Sequence, residues 1–130
     1  MHINRLDHLV LTVADIEATC AFYTRVLGLA RVEFASGRVA LQCGEQKINL
    51  HQAGFEFEPK ALCPTVGSAD VCLIASDTIE AVVAHVVAAG GAIELGPVAR
   101  TGARGPITSI YLRDPDGNLV EVAVYAGETA

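Results

Sequence analysis

The sequence predicts an α+β fold built from two tandem βαβββ modules that form a cupped mixed sheet. Three observations carry this. The run His8-Leu-Val-Leu-Thr-Val-Ala-Asp15 returns as Asp70-Val-Cys-Leu-Ile-Ala-Ser-Asp77. Each copy leads from an apolar, strand-like stretch into a helical one that stops at glycine, Gly28 in the first and Gly90-Gly91 in the second. The copies also close alike, with Lys47-Ile-Asn-Leu-His51 aligned on Gly117-Asn-Leu-Val-Glu121.

In chain order, residues 6–13 alternate His8, Val10 and Thr12 on one face with Leu9, Leu11 and Val13 on the other, as in a strand covered on both sides. Asp15 is placed to cap a helix whose stripe is Ile16, Cys20, Tyr23 and Leu27, ended by Gly28. Strands follow near 30–35, 38–43 and 46–52, with Ser36-Gly37 and Gly44-Glu45 as turns. The second module repeats this order: a strand at 70–75, a helix at about 78–89 with Ile79, Val83 and Val86 inward, and strands near 93–98, 107–113 and 118–125. Asp114-Pro-Asp-Gly-Asn118 is a turn in which proline presets φ and glycine supplies a positive one. The stretch from Ala53 to Ala69, with Phe55, Phe57, Pro59 and Pro64, has no period and reads as a connection that covers a site or packs on a partner. The expected organisation is one domain over 1–130, with module 1 at about 3–54, a linker at about 55–69 and module 2 at about 70–125.

Composition narrows the function. A hydrophobic content of 52% in 130 residues supports a sizeable shared core. A net charge of −6 with nine Lys and Arg lacks the clustered basic footprint of a nucleic-acid or anionic-lipid surface. The opening Met-His-Ile-Asn-Arg-Leu-Asp7 has no signal-like apolar core, and no stretch approaches the roughly 18 residues of a membrane span, so a cytoplasmic protein is expected. Cys20, Cys43, Cys63 and Cys72 form no CxxC pair and are expected to be reduced thiols.

Four hydrophilic residues interrupt the apolar strands: His8, His51, Asp70 and Glu121. Taken singly, each has an ordinary reading as a structural or solvated side chain. Together they occupy matching places in the two modules, on strand faces opposite the packing side. Two imidazoles and two carboxylates make a cup for a divalent metal, with open positions left to water or substrate. Asp70 is also readable as a residue that only bonds backbone near the linker, which leaves a ligand set of His8, His51 and Glu121. Three weaker candidates for substrate contact lie nearby. Arg100 and Arg104 sit in the Gly-rich run Arg100-Thr-Gly-Ala-Arg-Gly-Pro106, read as a loop between strands that holds a carboxylate or is a plain hairpin connection. Cys72 shares the face of Asp70 and is a small pocket-lining or core residue. His2 and His85 have no matching polar partner and stay outside the site.

Three segments, His8-Leu-Val-Leu-Thr-Val-Ala-Asp15, Phe22-Tyr-Thr-Arg-Val-Leu-Gly-Leu29 and Asp114-Pro-Asp-Gly-Asn-Leu-Val-Glu121, resemble signatures of the vicinal oxygen chelate superfamily, which includes glyoxalase I, extradiol dioxygenases, bleomycin-resistance proteins and fosfomycin-resistance transferases. The resemblance spans the whole chain and is most like small glyoxalase-domain proteins. It implies metal ligands on the first and last strand of each module, hence His8 and Glu121. On the fourth strand it falls on His51 or, with a different register, on Asn49, the latter otherwise a substrate contact. His51 is preferred because imidazole is the better ligand. Asp70 departs from the family, where His or Gln is common.

The resemblance further implies a divalent ion (Ni, Zn, Mn or Fe), a small-molecule substrate bound through two adjacent oxygens, and a homodimer. The expected activity is a glyoxalase-like lyase or isomerase with Glu121 as ligand and proton carrier. Its alternatives are an Fe(II) extradiol-type dioxygenase and a non-catalytic drug-sequestering protein.

Overall fold

A strand that must pair in parallel with another from the same small unit needs a long crossover, and a helix supplies it. Both units use this device. The computed structural model describes residues 1–127, which divide into a unit of Met1–Ser68 and a unit that begins at Ala69. The first contains β1 (His8–Val13), α1 (Ile16–Arg25), β2 (Ala30–Phe34), β3 (Arg38–Cys43) and β4 (Gln46–Gln52), in the sheet order β1-β4-β3-β2. The second contains β5 (Asp70–Ile74), α2 (Ile79–Ala88), β6 (Leu95–Gly102), β7 (Gly105–Arg113) and β8 (Leu119–Tyr125), in the order β5-β8-β7-β6. β1 pairs with β4, and β5 with β8, in parallel; the other pairings are antiparallel. Each unit is the expected βαβββ module with its own mixed sheet.

Helix α1 starts where Asp15, in extended conformation, accepts a hydrogen bond from the Ala18 N–H at 3.1 Å. It ends before Gly28, whose φ of +71° a side chain would resist. Its inward side is Thr19, Cys20 and Tyr23, continued by Val26, against a sheet face that contributes the buried Leu11, Val13, Leu41, Ile48 and Leu50. The cap of α2 is Thr78 rather than the preceding Asp77: the Thr78 Oγ1 accepts from the Ala81 N–H at 3.2 Å. Val82 and Val86 are its buried positions.

The run from Arg100 to Pro106, expected as a loop, is mostly strand. Arg100 pairs with Ile107, Thr101 with Pro106 and Gly102 with Gly105, so β6 and β7 extend to a tight turn at Ala103 and Arg104. The glycines misled because one of them is a packing glycine: a Cβ on Gly102 would strike the Tyr125 hydroxyl. No helix among the described residues is long and apolar enough to cross a membrane.

The Asp114–Asn118 turn does more than reverse the chain. Asp114 Oδ1 accepts from the N–H groups of Asp116 (2.9 Å) and Asn118 (3.0 Å), and Oδ2 from Asn118 Nδ2 (2.8 Å). Asn118 Oδ1 then accepts from the Ala69 N–H at 2.8 Å, and the Leu119 N–H donates to the Ala69 carbonyl at 3.1 Å. The turn is thereby tied to the residue before β5, which sets the register between Asp70 and Glu121.

Candidate functional site

The parallel registers decide which hydrophilic residues are neighbours. In the first unit His8 pairs with Lys47, Val10 with Asn49 and Thr12 with His51. In the second Asp70 pairs with Leu119 and Cys72 with Glu121. From the first strand's polar residue, the position two steps along the last strand is therefore Asn49 in one unit and Glu121 in the other. Asn49, not His51, is the counterpart of Glu121; the alignment of the two closing segments was offset by two residues because side-chain parity is preserved by such a shift. His8 and Asn49 are diagonal neighbours, whereas His51 lies four positions from His8, about 13 Å along the strand direction.

His51 is engaged elsewhere. Arg38 Nη2 stands 3.3 Å from His51 Nε2, and since guanidinium only donates, that nitrogen accepts and the proton sits on Nδ1. Burial, and next the Arg38 charge, lower the imidazole's pKa, so it is held neutral. Its ring meets Phe57 edge to face at 5.5 Å between centroids. Its Nε2 lone pair is thus already committed to Arg38.

His8 is prepared differently. Its Nδ1 lies 2.7 Å from Asp7 Oδ2 in an exposed pair, and a carboxylate behind one imidazole nitrogen is an arrangement common at metal-bound histidines. Asn49 is buried, and its Oδ1 has no hydrogen-bond partner. A buried acceptor without a donor costs free energy unless something binds it.

In the second unit the Glu121 Oε2 accepts from the Ser109 Oγ at 2.5 Å, and Ser109 is fully buried. Cys72 pairs with Glu121 across the β5–β8 register, which sets its thiol beside that carboxylate. Desolvation of the sulfur, followed by the charge of Glu121, pushes that thiol up to about 11, so it remains a protonated donor at neutral pH and is no nucleophile. Asp70 is the exposed diagonal neighbour of Glu121.

Arg100 reaches the same sheet face: its Nε donates to the Tyr111 hydroxyl at 3.0 Å, and Tyr111 pairs with Glu121. Arg104 sits at the hairpin tip, its N–H donating to the Tyr125 hydroxyl at 3.0 Å and its guanidinium 4.6 Å from that ring.

Among the described residues no group of three or more His, Cys, Asp and Glu is placed to hold a metal ion. Each unit instead presents a pair, His8 with Asn49 and Asp70 with Glu121. The nitrogen and oxygen donors fit a divalent cation, and the orphaned Asn49 Oδ1 is a vacancy of the kind a cation satisfies. Ser109 and Arg38 were missed from the sequence. A lone serine or arginine in a strand carries no signal until pairing shows what lies across from it.

The match to known proteins agrees with this architecture. The family model of the Glyoxalase/Bleomycin resistance protein/Dioxygenase superfamily covers residues 5–122. The chain belongs to this superfamily. Within it, the chain is 58% identical over 125 residues to the virulence protein STM3117 of Salmonella typhimurium, covering 96% of this chain and 87% of that one. The crystal structure of that protein superposes with a TM-score of 0.94, covering 97% of this chain and 100% of that one. The glyoxalase domain-containing protein RDO1 of Mycosarcoma maydis is 53% identical, over 96% of this chain and 70% of that one. A structure of lactoylglutathione lyase from Agrobacterium tumefaciens is 26% identical with a TM-score of 0.68, covering 95% of each chain.

Proposed function

We propose that this superfamily member is a divalent-metal-dependent lyase or isomerase of the glyoxalase type, acting on a small molecule with two adjacent oxygens, such as a dicarbonyl or its thiol adduct. The reading rests above all on Glu121, a carboxylate whose plane is fixed by the Ser109 hydroxyl at 2.5 Å beside a thiol that stays protonated. It is supported by family membership and by the 26% identity to a lactoylglutathione lyase. The candidate ligands are a pair in each unit, His8 with Asn49 in the first and Asp70 with Glu121 in the second; by strand register Asn49, and not His51, is the diagonal neighbour of His8.

A bound divalent ion supplies Lewis acidity, polarising the two substrate oxygens and stabilising negative charge that develops on them. Glu121 takes a proton from the carbon beside those oxygens and returns it to the neighbouring carbon. Ser109 holds the carboxylate in place for both transfers. Asp7, 2.7 Å from Nδ1, orients the His8 ring. The protein is proposed to work as a homodimer in the cytoplasm, on a small molecule rather than on nucleic acid or a membrane.

The test is elemental analysis of untagged protein purified without added metal or chelator, together with turnover of the adduct of methylglyoxal and glutathione, for the native chain and for Glu121→Ala. Near-stoichiometric nickel, zinc or manganese is expected, with affinity and turnover reduced about 10- to 100-fold or more in the variant. Iron with turnover of a catechol moves the assignment to the extradiol-type dioxygenase. Absence of metal after reconstitution overturns the enzyme reading and leaves a sequestering protein.

A further inference from the structure

Arg38 is a cation with one occupied donor and none of the partners that normally satisfy a guanidinium. Its Nη2 donates to His51, and its remaining N–H groups meet no carboxylate among the described residues. Two aromatic rings lie close to it instead: the guanidinium carbon is 4.6 Å from the Phe57 ring centroid and 5.3 Å from that of Phe34. Lys47 Nζ lies 3.4 Å from the Phe34 centroid and adds a second positive charge without an ion-pair partner. The Glu56 carboxylate, whose charge acts on His51, is already bound by Lys60 Nζ at 3.2 Å and by the Gly54 N–H.

A guanidinium held within cation–π distance of two rings and bonded to no carboxylate keeps planar N–H donors that match a carboxylate bidentately. In a chain of net charge −6, an arginine and a lysine gathered without acidic partners on one sheet face form a local reversal of field. His51 holds the fork in orientation by accepting at Nε2. Along β4, His51 lies two residues from Asn49, about 7 Å.

We propose that Arg38, oriented by His51 and set against the Phe34 and Phe57 rings, is a binding site for the carboxylate of the substrate. This deepens the reading above by assigning the substrate to the small carboxylic acids; the binding step itself needs no metal.

The test is calorimetric titration of the protein, as purified and with chelator present, with benzoate, its uncharged twin benzamide, and inorganic phosphate. Benzoate was chosen because it has no pair of adjacent oxygens on neighbouring carbons with which to chelate. Benzoate is expected to bind equally with and without chelator, benzamide to fail, and Arg38→Gln to weaken benzoate about tenfold or more. Arg38→Lys keeps the charge without the fork and is expected to lose several-fold; it serves as the deciding variant should Arg38→Gln not fold. Equal binding of benzamide, unchanged affinity in the variants, preference for phosphate, no benzoate binding at all, or loss of binding with chelator overturns the proposal. Retained benzoate binding in a protein that takes up no metal would sink only the enzyme reading.

Discussion

Cys72 illustrates how a single side chain takes its chemistry from its neighbours. Its thiol lies among Glu121 and Asp70, and desolvation together with those negative charges raises it from 9.0 to about 11. At a given pH below 9 its thiolate fraction is then about a hundredfold lower than that of an ordinary thiol. Cys63 is also exposed and serves as an internal reference. In peptide mapping after iodoacetamide treatment at pH 8, Cys72 should lag well behind Cys63. Glu121→Gln removes the charge and the carboxylate acceptor, so Cys72 alkylation should accelerate about tenfold or more; an unchanged rate would mean that Glu121 does not control the thiol. The sign for stability follows. Between pH 9 and about 11 the folded state keeps a proton that the unfolded chain has lost, so this residue's contribution falls as pH rises.

Among the elements, the Asp114–Asn118 turn and the start of β5 form the unit that sets the position of Glu121. Asn118 is 2% exposed and bridges Asp114 to the Ala69 N–H, so its removal takes away both of these side-chain hydrogen bonds at once. Asn118→Ala should lower unfolding free energy by about 2–4 kcal/mol in urea titrations. It should also weaken metal binding if the β5–β8 register carries the site, and Asn118→Asp, which retains the acceptor for Ala69 but sets a second carboxylate against Asp114 Oδ2, should recover neither. The hairpin of β6 and β7 follows the same logic, since Gly102 is fixed by the Tyr125 ring packed against it and not by a turn.

At the scale of the whole molecule, Ile3, Leu6, Phe55 and Leu62 are exposed by 70% or more in the first unit, apolar side chains that a second copy of the chain would cover. Sedimentation equilibrium should return twice the 13.6 kDa chain mass, and Leu62→Glu should shift the balance toward monomer; a native protein that sediments at 13.6 kDa would refute the dimer. The two βαβββ modules, their strand and helix order and the capping role of Asp15 were legible from sequence, because period, caps and turns are local properties and the chain states them twice. His8 and Glu121 could be singled out for the same reason: a hydrophilic residue in an apolar strand is visible without a structure. Asn49 displaced His51 as the counterpart of Glu121 only through the β1–β4 register, since a shift of two residues leaves the alternation of faces unchanged. The rings beside Arg38 and the serine behind Glu121 required the fold as well, because they join residues whose proximity is created by strand pairing and recorded in no run of neighbouring letters.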